Sequence, residues 1–225
     1  MSAKGSAVFD SRYRAFLFDM DGTILNSIAA AERVWAAWAK RHGLDVQAFL
    51  TTIHGVRAID TITRQALPGV DACAEARGIS EAEIEDIEGV VAIPGAVEFL
   101  KTLPGNQWAV VTSAPRALAL RRLQAAGIVP PAVMVTAEDV ASGKPDPTCY
   151  LLGAQRLGVP AQQCLVFEDA TVGILAGEAA GADVMVVTSA HLTPMTTEHA
   201  TIVGYEQWLA DRDEDGFLRL LPQQH

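Results

Sequence analysis

From Gly95 to Thr188, short apolar runs alternate with longer amphipathic ones. "GAVEFLKTL" has helical spacing, "WAVVTS" reads as a buried strand, and "PRALALRRLQAAG" returns to helix. The rhythm continues through "AVMVT" (strand), "DPTCYLLGAQRLG" (helix), "CLVFED" (strand), "TVGILAGEAAG" (helix) and "ADVMVVT" (strand). Strands separated by helical crossovers form right-handed βαβ units and a parallel sheet covered on both faces. "RAFLFD" (Arg14–Asp19) adds one earlier strand, apolar, aromatic and ended by an acid.

The stretch between that first strand and the alternating region has no convincing strand. In "SIAAAERVWAAWAKRHG", Ile28, Ala31, Val34, Trp35 and Trp38 fall at helical spacing, and Gly43 is a natural stop. "GVRAIDTITRQAL" and "SEAEIEDIEGV" also read as helices, and Ser80 with Glu83 has capping-box spacing. The expected fold class is therefore α/β: a Rossmann-like parallel-sheet core from residues 1–26 and 91–225, interrupted by an all-helical insert over 27–90. The tail "DRDEDGFLRLL" is expected to close with a short strand or hairpin.

Net charge is −10, which disfavours nucleic acid and anionic membranes as partners. Cys73, Cys149 and Cys164 are scattered, and no CxxC pair occurs. Neither a disulfide framework nor a zinc site is indicated, and reduced cysteines in a cytoplasm are the expectation. "MSAKGSAVFDSRYR" lacks a signal-peptide apolar core, and no segment reads as a membrane span. A self-sufficient core with an insert suggests a monomer.

Ligands of such sheets collect at the carboxyl ends of the strands. The polar residues expected there are Asp19 and Asp21 after the first strand, Thr112 and Ser113 after the second, and Glu168 and Asp169 after the fourth; Lys144 joins them from "SGKPDP". Four crowded carboxylates repel unless a cation joins them, and an all-oxygen set suits Mg²⁺. Mg²⁺ leaves room for a phosphate, which Lys144 and Ser113 would hold with help from backbone N–H groups of the turns. Gly22 permits the tight turn after Asp21 and places backbone near that phosphate. One Asp would attack phosphorus to form an aspartyl-phosphate, and a second would move protons to the leaving group and from water. Asp19 and Asp21, two residues apart, suit this division.

"DMDGT" (19–23), "VVTS" (110–113), Lys144 of "SGKPDP" and "FEDA" (167–170) resemble, in order, the four motifs of the haloacid dehalogenase-like phosphohydrolases. The helical insert is similar to the cap of the subgroup containing β-phosphoglucomutase and phosphoglycolate phosphatase. "IHGVRAIDTI", "AIPGAVEFL" and "FEDATVGILAGEAAG" look most like bacterial sugar or polyol phosphatases. The resemblance implies Asp19 as nucleophile and Mg²⁺ ligand, and Asp21 as acid/base lending its backbone carbonyl to the metal. Asp169 would bind the metal directly, and Glu168 directly or through water. Ser113 and Lys144 would bind phosphate, with Thr112 adjacent. Asn26 stands where many relatives have Asp.

In the insert, His54, Gly55 and Arg57 form a candidate substrate-facing turn. Arg57 either reaches substrate oxygens or is a surface arginine at a helix start, and His54 is open in the same way. Arg116 is a further candidate near phosphate. The acidic run Glu81, Glu83, Glu85, Asp86 and Glu88 reads as a solvated face, and Trp35 and Trp38 as cap core. His42, His191, His199 and His225 have no metal-ligand spacing. The expected activity is Mg²⁺-dependent hydrolysis of a small sugar or polyol phosphate, the insert acting as a lid hinged near Leu25–Ser27 and Val91–Gly95. The rivals are a β-phosphoglucomutase-like mutase, a phosphoglycolate phosphatase, a dehalogenase, which needs neither Asp21 nor a metal, and a phospho-receiver switch.

Overall fold

The structure is a computed structural model that describes residues 8–191 and 195–223; the first residues of "MSAKGSAVFDSRYR" and His225 lie outside them. Strand β1 (Ala15–Phe18) is buried along its whole length. Its side chains alternate: Phe16 and Phe18 enter one apolar cluster, and Ala15 and Leu17 enter the other. Only a strand with both faces covered needs such an uninterrupted apolar run. Phe18 stacks on Phe167 with ring centroids 4.5 Å apart. Burying such a ring contributes about 1.5–3 kcal/mol.

β1 sits centrally in a six-stranded sheet of order β5-β4-β1-β6-β7-β8, all pairings parallel. The others are β4 (Trp108–Val111), β5 (Val133–Val135), β6 (Cys164–Glu168), β7 (Asp183–Val187) and β8 (Ala200–Ile202). β8 is a short edge strand that the sequence pattern did not suggest. The tail forms the expected hairpin, β9 (Trp208–Arg212) against β10 (Leu218–Pro222), antiparallel.

After β1 the chain turns into β2 (Leu25–Asn26), which pairs antiparallel with β3 (Val91–Ala92). This two-stranded stalk carries the helical cap: α1 (Ile28–Arg41), α2 (Val46–Leu50), α3 (Ala58–Arg64) and α4 (Ala72–Glu85). Trp35, Trp38, Phe49, Ile53, Ile62 and Ile79 give the cap its own apolar core. Asp45 caps α2 and Asp71 caps α4, each accepting backbone N–H groups of the first turn. The start of α4 corrects one expectation. Ser80 is not a cap but lies mid-helix, where its hydroxyl donates to Ala76 O. Asp71 starts that helix two turns earlier, as any Asp ahead of a helical run can.

The core helices are α5 (Ala96–Thr102), α6 (Arg116–Ala125), α7 (Thr148–Arg156) and α8 (Thr171–Ala179). α6 also touches the cap through α4. Among the described residues no helix is long and apolar enough to cross a membrane.

Candidate active site

The carboxyl ends of β1, β4 and β6 meet under the cap. Asp19 follows β1 directly, and its N–H stays in the ladder by donating to Phe167 O at 2.9 Å. One ligand oxygen each from Asp19, Glu168 and Asp169 lies within 4.8 Å of the others, and all three residues are buried. Lys144 is 2 % exposed, and its Nζ donates to Asp19 Oδ1, Glu168 Oε1 and Val111 O. All three of its protons are therefore satisfied.

Burial pushes the Asp19 carboxyl up to about 8, against the pull of Lys144. Burial also pushes Asp169 well above the usual carboxylate range, with Glu168 and Asp19 adding repulsion. Burial alone would discharge Lys144, but Asp19 and Glu168 outweigh it and hold the ammonium protonated. With all three carboxylates ionised beside one lysine, two negative charges would be left over, which is why Asp19 and Asp169 are pushed up when no cation is present.

A divalent cation with oxygen ligands cancels that excess, which is the fit expected of Mg²⁺. Asp19 and Asp169 have the open lone pairs. Both Glu168 oxygens already accept two hydrogen bonds each: Oε1 from Lys144 and Tyr150, Oε2 from the Asp169 and Ala170 N–H groups. Glu168 thus adds charge and orients its neighbours. Its seat depends on Gly173, where a Cβ would lie 1.6 Å from Oε1. Thr23 donates to Asp169 Oδ1, and His191 Nε2 meets Asp169 O at 2.9 Å.

Asp21 is not one of the clustered trio. Its Oδ1 accepts from Ser27 Oγ at 2.6 Å and from Arg122 Nη1 at 3.0 Å. Ser27 stands at the start of α1, makes no cap bond there, and donates its hydroxyl to Asp21. Asp19 and Asp21 have different partners, and Gly22 makes the turn after them at φ +91°. A Cβ at Gly22 would lie 2.0 Å from Asp169 Oδ2, so the acidic trio closes only over glycine. The Gly22 N–H itself donates to Leu25 O at 2.7 Å.

A cavity between core and cap is lined by Asp19, Asp21, Asp169, Thr112 and Ser113 on one side. Trp35, His54, Ser80, Glu83 and Arg122 line it from the cap side and the end of α6. Ser113 Oγ donates to Gly55 O, joining core to cap. Thr112 Oγ1 accepts from Ala114 N–H, so this hydroxyl supports the turn. His54 lines the cavity with its Nε2 3.4 Å from Glu32.

Arg57 is neither a free surface arginine nor among the lining residues. It pairs with Asp60 and donates to Val140 O and Ala141 O, tying α3 to the loop that leads to Lys144. Arg116 also stands off the cavity, with its backbone on Glu138 and its guanidinium on Met134 O.

The acidic run of α4 needs a correction. Glu81, Glu85 and Glu88 are exposed, but Glu83 is buried and accepts from Arg122 Nη2 at 3.0 Å. Burial pushes Glu83 up to about 7, with Arg122 opposing. The periodicity of one helix cannot show that a second helix covers a single acid of its polar face. Arg122 and Tyr150 were missed for the same reason: each lies on a helix whose inward position becomes clear only once the sheet is assembled.

Residues 13–181 match the family model for haloacid dehalogenase-like hydrolases, and the chain belongs to that family. It is 44% identical over 192 residues to hexitol phosphatase A of Escherichia coli (strain K12), covering 83% of this chain and 88% of that protein. It is 35% identical over 185 residues to glycerol-1-phosphate phosphohydrolase 2 of Saccharomyces cerevisiae, covering 77% of this chain and 74% of the other. The fold is similar to that of β-phosphoglucomutase from Clostridium difficile, with a TM-score of 0.74 at 21% identity over 87% of this chain and 92% of that one. This chain is an enzyme of the hydrolase family with a buried acidic site suited to Mg²⁺.

Proposed function

We propose that the protein hydrolyses small sugar or polyol phosphates through a phosphorylated Asp19. The observation that carries this reading is the division of labour between two nearby carboxylates. Asp19 is buried among Lys144, Glu168 and Asp169, while Asp21 lines the same cavity and is held by Ser27 and Arg122. Resemblance to hexitol and glycerol phosphate phosphatases supports the substrate class.

The Asp19 oxygen not bonded to Lys144 attacks phosphorus. The new O–P bond forms as the P–O bond to the sugar breaks, and Asp21 gives its proton to the departing oxygen. Asp21 then takes a proton from water, the water oxygen attacks phosphorus, and the Asp19 carboxylate leaves with inorganic phosphate released. Lys144 keeps Asp19 oriented and faces the phosphate oxygens. Ser113 exchanges its bond to Gly55 for one to the phosphate, which couples substrate arrival to the cap. Asp19 and Asp169, with the Asp21 carbonyl that the family resemblance adds, would hold Mg²⁺, which would neutralise charge on the phosphate.

The core (1–26 and 91–225) and cap (27–90) are read as two units hinged at the β2–β3 stalk, working as a monomer. Unpaired cysteines at 73, 149 and 164 support a reducing, cytoplasmic setting. The test is phosphate release from hexitol, hexose, pentose and glycerol phosphates, with Mg²⁺ and with EDTA. Mg²⁺-dependent release, lost in Asp19→Asn, is expected. Transfer of phosphate between sugar hydroxyls without release would show a mutase instead.

A further inference from the structure

Arg122 reaches the cavity from α6 and Glu83 reaches it from α4 of the cap. Arg122 Nη1 is 3.0 Å from Asp21 Oδ1, and Nη2 is 3.0 Å from Glu83 Oε1. The Arg122 side chain is 5 % exposed and Glu83's is 8 %. Both terminal nitrogens are thus committed, while Nε is a buried donor with no acceptor among the described residues. Among the described residues that line this cavity, Arg122 is the one arginine or lysine.

If Asp21 protonates the leaving oxygen, that oxygen lies beside Asp21. The first carbons of the leaving group then lie beside Arg122 and Glu83. A second anionic group on the leaving group finds no uncommitted cation there and meets the Glu83 carboxylate. A hydroxyl has a different reception: it can donate to a carboxylate oxygen of Asp21 or Glu83 and brings no charge beside them.

We propose that Glu83 is a specificity-determining residue. By occupying Arg122 it admits neutral, hydroxyl-bearing leaving groups and rejects leaving groups that carry a carboxylate or a second phosphate. This rests on the reading of Asp21 as the acid, and it deepens that reading by naming the leaving group's charge. Removing Glu83 frees Nη2 of a buried guanidinium, and a free guanidinium is a carboxylate receptor.

The experiment compares kcat/KM for sorbitol 6-phosphate, whose leaving group is neutral, with that for phosphoglycolate, whose leaving group carries a carboxylate. Wild type, Glu83→Ala, Glu83→Gln and the double variant Glu83→Ala/Arg122→Met are measured, with circular dichroism as the check on folding. Wild type is expected to favour sorbitol 6-phosphate. Glu83→Ala is expected to move the ratio toward phosphoglycolate by about tenfold or more, the scale at which a single polar contact discriminates. Glu83→Gln, which keeps the shape and removes the charge, moves it less in the same direction. The double variant loses the gain, because the receptor is gone.

An unmoved ratio in a folded Glu83→Ala overturns the proposal. So does a wild type that hydrolyses phosphoglycolate as well as sorbitol 6-phosphate, a result that needs no variant. Absence of release from either compound by wild type sinks the phosphatase reading itself, so the two failures are distinguishable.

Discussion

Replacing Lys144 with methionine keeps most of the side-chain volume and removes one charge at the most crowded point of the molecule. The Lys144 side chain is 1 % exposed, and its Nζ is the cation bonded to both Asp19 and Glu168. Without it, Asp19, Glu168 and Asp169 remain buried with no partner of opposite sign among themselves. Removing one partner of a buried ion pair costs about 3–5 kcal/mol, and two bridges lost at once put the expectation near the upper end. For a chain of this size that corresponds to a fall in Tm of roughly 10–20 °C. The assay is urea and thermal denaturation at pH 7.5 in EDTA. Adding Mg²⁺ narrows the gap between variant and wild type, because the variant's carboxylates no longer share their charge with a lysine and bind the cation more tightly. A loss of under about 1 kcal/mol in EDTA would refute the argument, since that is the scale of an exposed pair. A gap unchanged by Mg²⁺ would refute the assignment of these carboxylates to the cation.

Three further outcomes follow from particular contacts. Asp21→Asn is expected to reduce kcat by about 10²–10⁴-fold, the usual contribution of a positioned acid/base, while leaving Mg²⁺ affinity close to wild type; calorimetric Mg²⁺ titration beside steady-state rates checks it. Gly173→Ala forces the Glu168 carboxylate out of its four hydrogen bonds, and crowding of this kind destabilises by about 1–3 kcal/mol, read by denaturation. The Asp139 carboxyl is held down to about 2 from its ordinary 3.8, chiefly by Arg156 and against the cost of burial. A depressed folded pKa adds stability above the ordinary value and loses it as pH falls from about 4 to 2. With solvent screening the contribution is about 1 kcal/mol, and Asp139→Asn flattens that part of the stability–pH curve.

The acidic floor was legible because Asp19, Glu168 and Asp169 each follow an apolar strand directly, and parallel strands deliver their ends to one rim. Lys144 was legible from its place in "SGKPDP" rather than from any periodicity. The wall opposite was not. Glu83 sits among exposed acids at a spacing that reads as a solvated face, and only the approach of α6 buries it against Arg122. Tyr150 reads as one apolar position of α7, yet its hydroxyl reaches Glu168 at 2.8 Å. Ser80 and Arg57 show the converse. Their local signals, a capping box and a substrate-facing turn, were overridden by a longer helix and by the carbonyls of Val140 and Ala141. Local pattern carried the elements, while contacts between elements distant in sequence decided which polar residues face the cavity.

The most direct test of the central claim is to look for the phosphoryl group on Asp19. The enzyme is mixed with radiolabelled sorbitol 6-phosphate and Mg²⁺, quenched in acid within the first turnovers, digested and mapped. The account predicts a label on the peptide containing Asp19 that is released by hydroxylamine, and its absence in Asp19→Asn. Steady phosphate release with no label on that peptide, or with release persisting in Asp19→Asn, would contradict it.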